Sequence, residues 1–332
     1  IEGSSYYGLY YSDEPDNGYR NYMELFLPSK KWNKEYIFAR NQGTGYSDNI
    51  HQEKCMAANG MGGWSGLCPT QELVDAYEMA NGSTPIIGYN ADGTPIINGA
   101  SGYSETGFAA TAGKHYPAGV YNMYVGREPR FYASINFNGQ QWRGRQLEFW
   151  QGGKDGINVS KVDYCCTGYL LRKTADEGVD VINGKGGMKE ASILFRVGSL
   201  YLDYAEALNE AEGPVDDVYK YVDAIRKRAG LPGLAKGLDK DKMRERIQHE
   251  RQIELAFEAG HRYFDCHRWK IAEKTDNGYM HGMNITATNK VDYSKRSTVG
   301  DSRVFEKKHY LFPIPQSEMD KRIGLVQSPY WE

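Results

Sequence analysis

The feature that most constrains this fold is a change of hydrophobic period near residue 191. From there ASILFRVGSLYLDYAEALNEAEG sets Leu194, Val197, Tyr201, Tyr204, Ala205 and Leu208 on one helical stripe. Gly213-Pro214 ends the run, because proline lacks a backbone N–H and its ring collides with the preceding turn. DDVYKYVDAIRKRAGLP follows as a second amphipathic helix, stopped by Gly230 and Pro232. Two such helices on a tight link predict an αα-hairpin of the tetratricopeptide kind, with Ala205, Ala207 and Ala224 permitting close approach. One hairpin cannot bury its apolar face alone, and the repeats it would stack against are not found in the sequence.

Residues 1 to about 190 read differently, being rich in Gly, Asn, Ser and Tyr. One helix stands out, Pro69 to Gly82, capped by Thr70, with Glu72 in its first turn and Asn81-Gly82 as its stop. PIIGYNADGTPIING predicts a hairpin around Asp92-Gly93, and Arg127 to Trp150 one or two strands. The stretch IQHERQIELAFEAGHRYFDCHRWK, Ile247 to Lys270, reads as a single helix. Ile253, Ala256, Phe257, Gly260 and Phe264 share one face, while Glu250, Glu254, Glu258 and Arg262 climb another. Arg251, Glu254, Glu258, Arg262 and Asp265 are expected to lock it to the hairpin and the loops; losing Arg262 would then cost about 3–5 kcal/mol. Pro313 and Pro315 predict an extended segment before a last short helix.

Charge and motifs exclude several function classes. A net charge of −3 from 40 basic and 43 acidic scattered residues gives no nucleic-acid footprint. No apolar run of about 18 residues predicts a membrane span. The opening Ile1-Glu2-Gly3 reads as a processed or cut product, with any targeting signal upstream. Five cysteines without a CxxC pair are expected to be free thiols. Glu258-x-x-His261 and Glu306-x-x-His309 match a di-iron spacing, but the other carboxylate helices and HExxH are missing, so no metal site is expected. There is no GxSxG or P-loop. Glu148 and Asp155 beside Trp150 are the pair a glycosidase would need, and Asp16-Asn17-Gly18 reads as a turn. Tyrosine is in excess, 26 against 11 phenylalanines, which suits either a surface that stacks on polar, flat-faced ligands or an irregular core covered by Tyr.

Taken together, several segments resemble the SusD/RagB family of outer-membrane, glycan-capturing lipoproteins of Bacteroidetes. They are PTQELVDAY (Pro69–Tyr77), EPRFYASI (Glu128–Ile135), RVGSLYLDYAEALNEA (Arg196–Ala211), IRKRAGLP (Ile225–Pro232), ERQIELAFEAGHRYFDCHRWK (Glu250–Lys270), YLFPIPQSEMD and LVQSPYW. Cys266 and Ser328-Pro329-Tyr330 depart from the family's usual residues. The resemblance spans the chain but only the C-terminal part of such a protein. The missing N-terminal part would carry the lipid-bearing cysteine, most helical repeats and some ligand contacts.

The resemblance implies a mainly α fold, tetratricopeptide-type hairpins packed against a loop-rich region with a few short β-strands. Residues 1–190 would hold the ligand surface, 191–270 the last hairpin and signature helix, and 271–332 the closing segment. It implies no enzyme and no cofactor, but oligosaccharide capture at the cell surface and delivery to a SusC-like TonB-dependent transporter. A peptide-capturing RagB-like protein or a glycoside hydrolase are the alternatives. Sugar rings need aromatic planes and hydrogen-bonding partners, and the loops at 61–64 and 138–143 offer both. Trp142, Trp64 and Tyr103 are the expected stacking residues, Asn138, Arg143 and Asn98 the hydrogen-bonding ones, while Trp269 and Trp32 are assigned to packing.

Overall fold

The computed structural model describes residues 5–27, 32–41, 46–157, 162–185, 191–258 and 260–331. The first part of the chain holds α1 (Gly18–Leu25), β1 (Tyr36–Asn41), α2 (Tyr46–Met56), α3 (Gln71–Ala76), β2 (Ile86–Tyr89) and β3 (Pro95–Ile97). The middle holds α4 (Pro129–Ser134), β4 (Ile135–Phe137), β5 (Gln141–Trp142), β6 (Arg145–Gln146), β7 (Tyr169–Leu171) and β8 (Ala191–Arg196). Then come α5 (Val197–Glu212), α6 (Asp216–Arg228), α7 (Lys240–Glu254), α8 (His261–Arg268), α9 (Ala272–Thr275), β9 (Gly278–Met283), α10 (Lys290–Tyr293), β10 (Arg296–Arg303) and α11 (Gln316–Met319). Every sheet among the described residues is a two-stranded antiparallel ladder, so the fold is mainly α.

The helical hairpin forms as its pattern predicts. Ala205 of α5, Val218 and Val222 of α6 and Met243 and Ile247 of α7 close one core, with Leu234 from the α6–α7 link. Ala207 instead faces solvent. The stripe does not begin at Leu194, which sits half-exposed on β8. Residues 191–196 pair with β1, some 150 positions earlier, and Arg196 then caps α5 through Ser199. Periodicity within one segment carries no information about so distant a strand partner.

Three further expectations change. The helix from Pro69 stops at Ala76, and Thr70 makes no side-chain cap bond. Tyr77 turns extended because the next residues join another segment: Glu128 N–H donates to Glu78 O at 2.9 Å and Ala80 N–H to Gly126 O at 2.8 Å. Arg127–Trp150 contains a helix, α4, with Pro129 at its first position, ahead of three short strands. Ile247–Lys270 is two helices, separated by a turn in which Phe257 (φ 64°) and Gly260 (φ 74°) are left-handed. Phe257 and Phe264 are consequently exposed rather than packed on one face with Ile253. The 86–97 hairpin forms as expected, with Gly93 at φ 80°.

The largest core joins α3, α4, β4 and β7 through Val74, Tyr77, Phe131, Phe137, Tyr169 and Leu170. Tyrosines fill much of it, so the Tyr excess serves packing in large part. All five cysteines are free. Trp32 is 55% exposed, contrary to its assignment to packing. Trp269 is partly covered and donates its indole N–H to Glu206 at 2.7 Å.

Candidate functional site

Asn17 caps α1 by accepting from the Arg20 N–H at 3.3 Å, so Asp16-Asn17-Gly18 is a helix start rather than a plain turn. Gly18 lies against the end of α6: a Cβ there would meet the Ala229 carbonyl at 2.2 Å. This close approach brings Tyr19 beside a second element, the loop 109–120. Ala109 N–H donates to Val120 O and Gly119 N–H to Ala109 O, both at 2.8 Å, which closes the base of that loop. At its tip Gly113 N–H donates to Tyr116 O at 2.9 Å. The Tyr116 ring folds back over Gly113, where a Cβ would come within 2.4 Å of it.

Between these elements lie two adjoining hollows of about 320 and 340 Å³ that share Tyr19, Lys114, His115 and Tyr116 as a common wall, together termed the cleft. Asp16, Asn17, Arg127 and Tyr132 line one end, and Pro117, Gln140, Gln141 and Arg172 the other. The aromatic groups form a row. Tyr19 stacks on His115 at 4.7 Å, His115 lies 5.3 Å from Tyr132, and Tyr132 stacks on Tyr116 at 6.1 Å. Burial, with Lys114 and Arg172 adding to it, pushes the His115 imidazole down to about 4. At neutral pH it is therefore uncharged and presents one donor and one acceptor. Burial also holds the Tyr19 phenol above its ordinary value, so it stays protonated.

Arg172 follows β7 and forms the cleft's rear wall. Its Nη1 donates to Tyr132 O at 2.9 Å and its Nη2 to the Tyr19 hydroxyl at 2.5 Å. The guanidinium lies 4.7 Å from the Trp142 ring and 5.4 Å from that of Tyr19.

The six residues expected to contact ligand are not brought together. Trp142 is 2% exposed and unavailable for stacking; it backs Arg172 from the core side. Asn138 is buried, its Oδ1 accepting from Phe149 N–H at 3.0 Å. Arg143 points away, bonded to Val179 O, Asp176 O and Glu53 near α2. Trp64 is 38% exposed, yet it stacks on His51 on the flank of α2, outside the cleft. Tyr103 is buried beside Arg127, with its hydroxyl on Glu105, and Asn98 braces the 86–97 hairpin by donating to Thr84 O. The loop at 138–143 does reach the cleft, but through Gln140 and Gln141. Tyr19, His115, Tyr116 and Arg172 were missed; Gly-Lys-His-Tyr-Pro at 113–117, a loop tip bounded by Gly and Pro, is the one local signal that points to them.

Two chemical alternatives lose their residues. Asp155 is fully buried, both oxygens held by Arg145 at 2.7 Å, while Glu148 accepts from Lys154 N–H. Glu258 is occupied by Lys173 and Arg196 rather than presented with His261 to a metal.

With this geometry in place, the sequence model of the SusD family matches residues 28–331, and the chain belongs to that family. Two SusD-like proteins of Formosa agariphila, P25 and P2, are 42% identical over 82 residues and 29% identical over 154. Those segments cover 24% and 43% of this chain but 15% and 26% of the relatives. A crystal structure of a SusD-like protein from Bacteroides fragilis is 28% identical with a TM-score of 0.71, covering 97% of this chain and 59% of that one. A second B. fragilis structure, described as a SusD-like carbohydrate-binding protein, shares the fold at 24% identity and a TM-score of 0.70 over 96% of this chain and 58% of its own. The chain thus spans a little over half the length of these solved relatives.

Proposed function

We propose that the chain binds oligosaccharide, without converting it, in the cleft between α1, the 109–120 loop and Arg172. The observation that carries this reading is the row Tyr19–His115–Tyr132–Tyr116 beside the polar groups of Gln141, Lys114 and Arg172. Sugar rings offer CH faces to such a row and hydroxyls to such donors. Asp16 is the single carboxylate among the described lining residues, whereas glycoside hydrolysis uses a pair. Family membership and the description of the second B. fragilis structure point the same way. In this reading the protein works at the cell surface of a Bacteroidetes outer membrane, held by a lipid anchor, and passes its glycan to a SusC-like TonB-dependent transporter.

Calorimetry against a glycan panel tests it. Binding without release of reducing ends is expected, and Tyr116→Ala should weaken it about tenfold, the loss of one stacking contact. Capture of peptides with no affinity for any glycan would transfer the protein to the RagB-like peptide binders.

A further inference from the structure

Buried positive charge in this fold is closely matched by carboxylates, with two exceptions. Arg130, Arg196, Arg226, Arg228 and Arg251 are each buried and each bonded to at least one acid. Arg127, 2% exposed, and Arg172, 9% exposed, have no acidic partner in salt-bridge contact among the described residues. Both line the cleft. Arg127 is capped by the carbonyls of Val74, Tyr77 and Met123, and Arg172 by Tyr132 O and the Tyr19 hydroxyl. The Nε of each is buried without a partner.

Carbonyl dipoles and aromatic faces make a buried guanidinium tolerable, but they do not cancel its charge. Their unmatched charge therefore borders the hollows they line. Exposed Lys114 stands on the shared wall and makes no salt-bridge contact among the described residues, acting on Glu14 only through space. Lys114 thus borders both hollows, with Arg172 in one and Arg127 and the exposed carboxylate of Asp16 in the other. Of the nearby acids, Asp13 and Glu14 pair with Arg20, while exposed Glu177 accepts from the Arg143 backbone N–H and acts on Tyr19 only through space.

We propose that the cleft selects anionic oligosaccharides, a sugar stacking on the aromatic row while its carboxylate or sulfate group meets Lys114 and Arg172. This rests on the oligosaccharide reading above and adds the chemical class of the ligand. An anion in a partly desolvated cleft gains charge-assisted hydrogen bonds that a hydroxyl cannot match.

The test is calorimetry with oligogalacturonate, chondroitin sulfate oligosaccharides and neutral galacto-oligosaccharides of matched length, each at low and high salt. At least one anionic series should bind about tenfold more tightly than the neutral one, with the preference shrinking as salt rises. The galacturonate and sulfate arms separate the two sources of charge. Lys114→Gln, at an exposed position compatible with folding, should weaken anionic binding about tenfold and neutral binding far less. Arg172→Lys should lose much of the preference too, since an ammonium cannot reproduce the planar fork. Equal affinity for neutral and anionic sugars, or an equal loss for both in Lys114→Gln, overturns the selectivity and leaves glycan binding standing. Binding confined to other, neutral glycans of the panel overturns the selectivity alone, and no affinity for any glycan of the panel overturns the glycan reading itself.

Discussion

At Glu254 three arginines converge. Arg130 and Arg196 lie 3.0 and 2.9 Å from its oxygens, and Arg228 bonds it as well. Burial by itself would raise this carboxyl, but Arg228, Arg196, Arg130 and Lys173 outweigh it and hold the group well below the usual carboxylate range. Glu35 takes the other sides of Arg196 and Arg228, Glu250 joins Arg130 to Arg226, and Glu258 joins Arg196 to Lys173. Arg262, expected among these locks, has no ion-pair partner among the described residues; Arg251 and Asp265 do pair, at 2.9 Å. Arg228→Ala should therefore cost about 3–5 kcal/mol, because Glu35 and Glu254 would each lose one buried partner and be left with Arg196, and Arg130 in the case of Glu254, one positive charge short of balance. Arg262→Ala should stay within about 0.5 kcal/mol. Urea unfolding of the two variants checks this, and equal losses would mean that the network is not what stabilises the fold.

At the scale of elements, the cleft depends on how α1 sits on the end of α6. Gly18 has no side chain there, and Asn21 reaches across to donate to Arg228 O at 3.1 Å. Gly18→Ala must push α1 outward and carry Tyr19 with it, an overpacking that typically costs about 1–3 kcal/mol. The expected result is a lower melting temperature together with weakened ligand binding. Unchanged affinity in the folded variant would show that Tyr19 is not part of the site. The break between α7 and α8 is equally consequential, for it lets Glu254 end one helix while Glu258 turns back to the same buried cations.

At the scale of the molecule, pH acts through groups dispersed along the chain. His115, His249 and His261 all titrate below the ordinary imidazole value of 6.5, each chiefly because burial disfavours the charged ring. The unfolded chain then binds more protons than the folded one below that value, so stability falls as pH drops from about 6.5. For His115 the window extends down to about 4. Glu78, Glu254 and Glu258, lowered by their arginine and lysine partners against the opposing effect of burial, add a second loss below about 4.5. Glu128, raised by burial despite Arg130, opposes it with the reverse sign. Thermal melts should decline between pH 7 and 5, and the slope should flatten in a His115→Gln, His249→Gln double variant. An unaltered slope would assign the effect to other groups.

What the sequence determined by itself was whatever local pattern controls: the α5–α6 hairpin, the 86–97 turn, the extended Pro313–Pro315 segment, and the motif set that identifies the family. Helix periodicity, glycine and proline stops act within about 20 residues, so they are readable along the chain. The cleft was not, although the loop at 138–143 contributes Gln140 and Gln141 to its lining. Trp142 and Gln141 are neighbours on a strand, and strand geometry sends successive side chains to opposite faces. Which of the two faces the cleft was decided by where β5 packs, and that placed the tryptophan in the core behind Arg172. Tyr19, Tyr116 and Arg172 lie up to 153 positions apart and meet because Gly18 docks on α6 and the 109–120 loop closes over it. The buried network was half legible: carboxylates at i, i+4 marked α7 as charged, but their partners sit on β8, α4 and α6. Only the tertiary structure chose Arg130, Arg196 and Arg228 over Arg262, because a buried charge is paired by whichever group packing brings within reach.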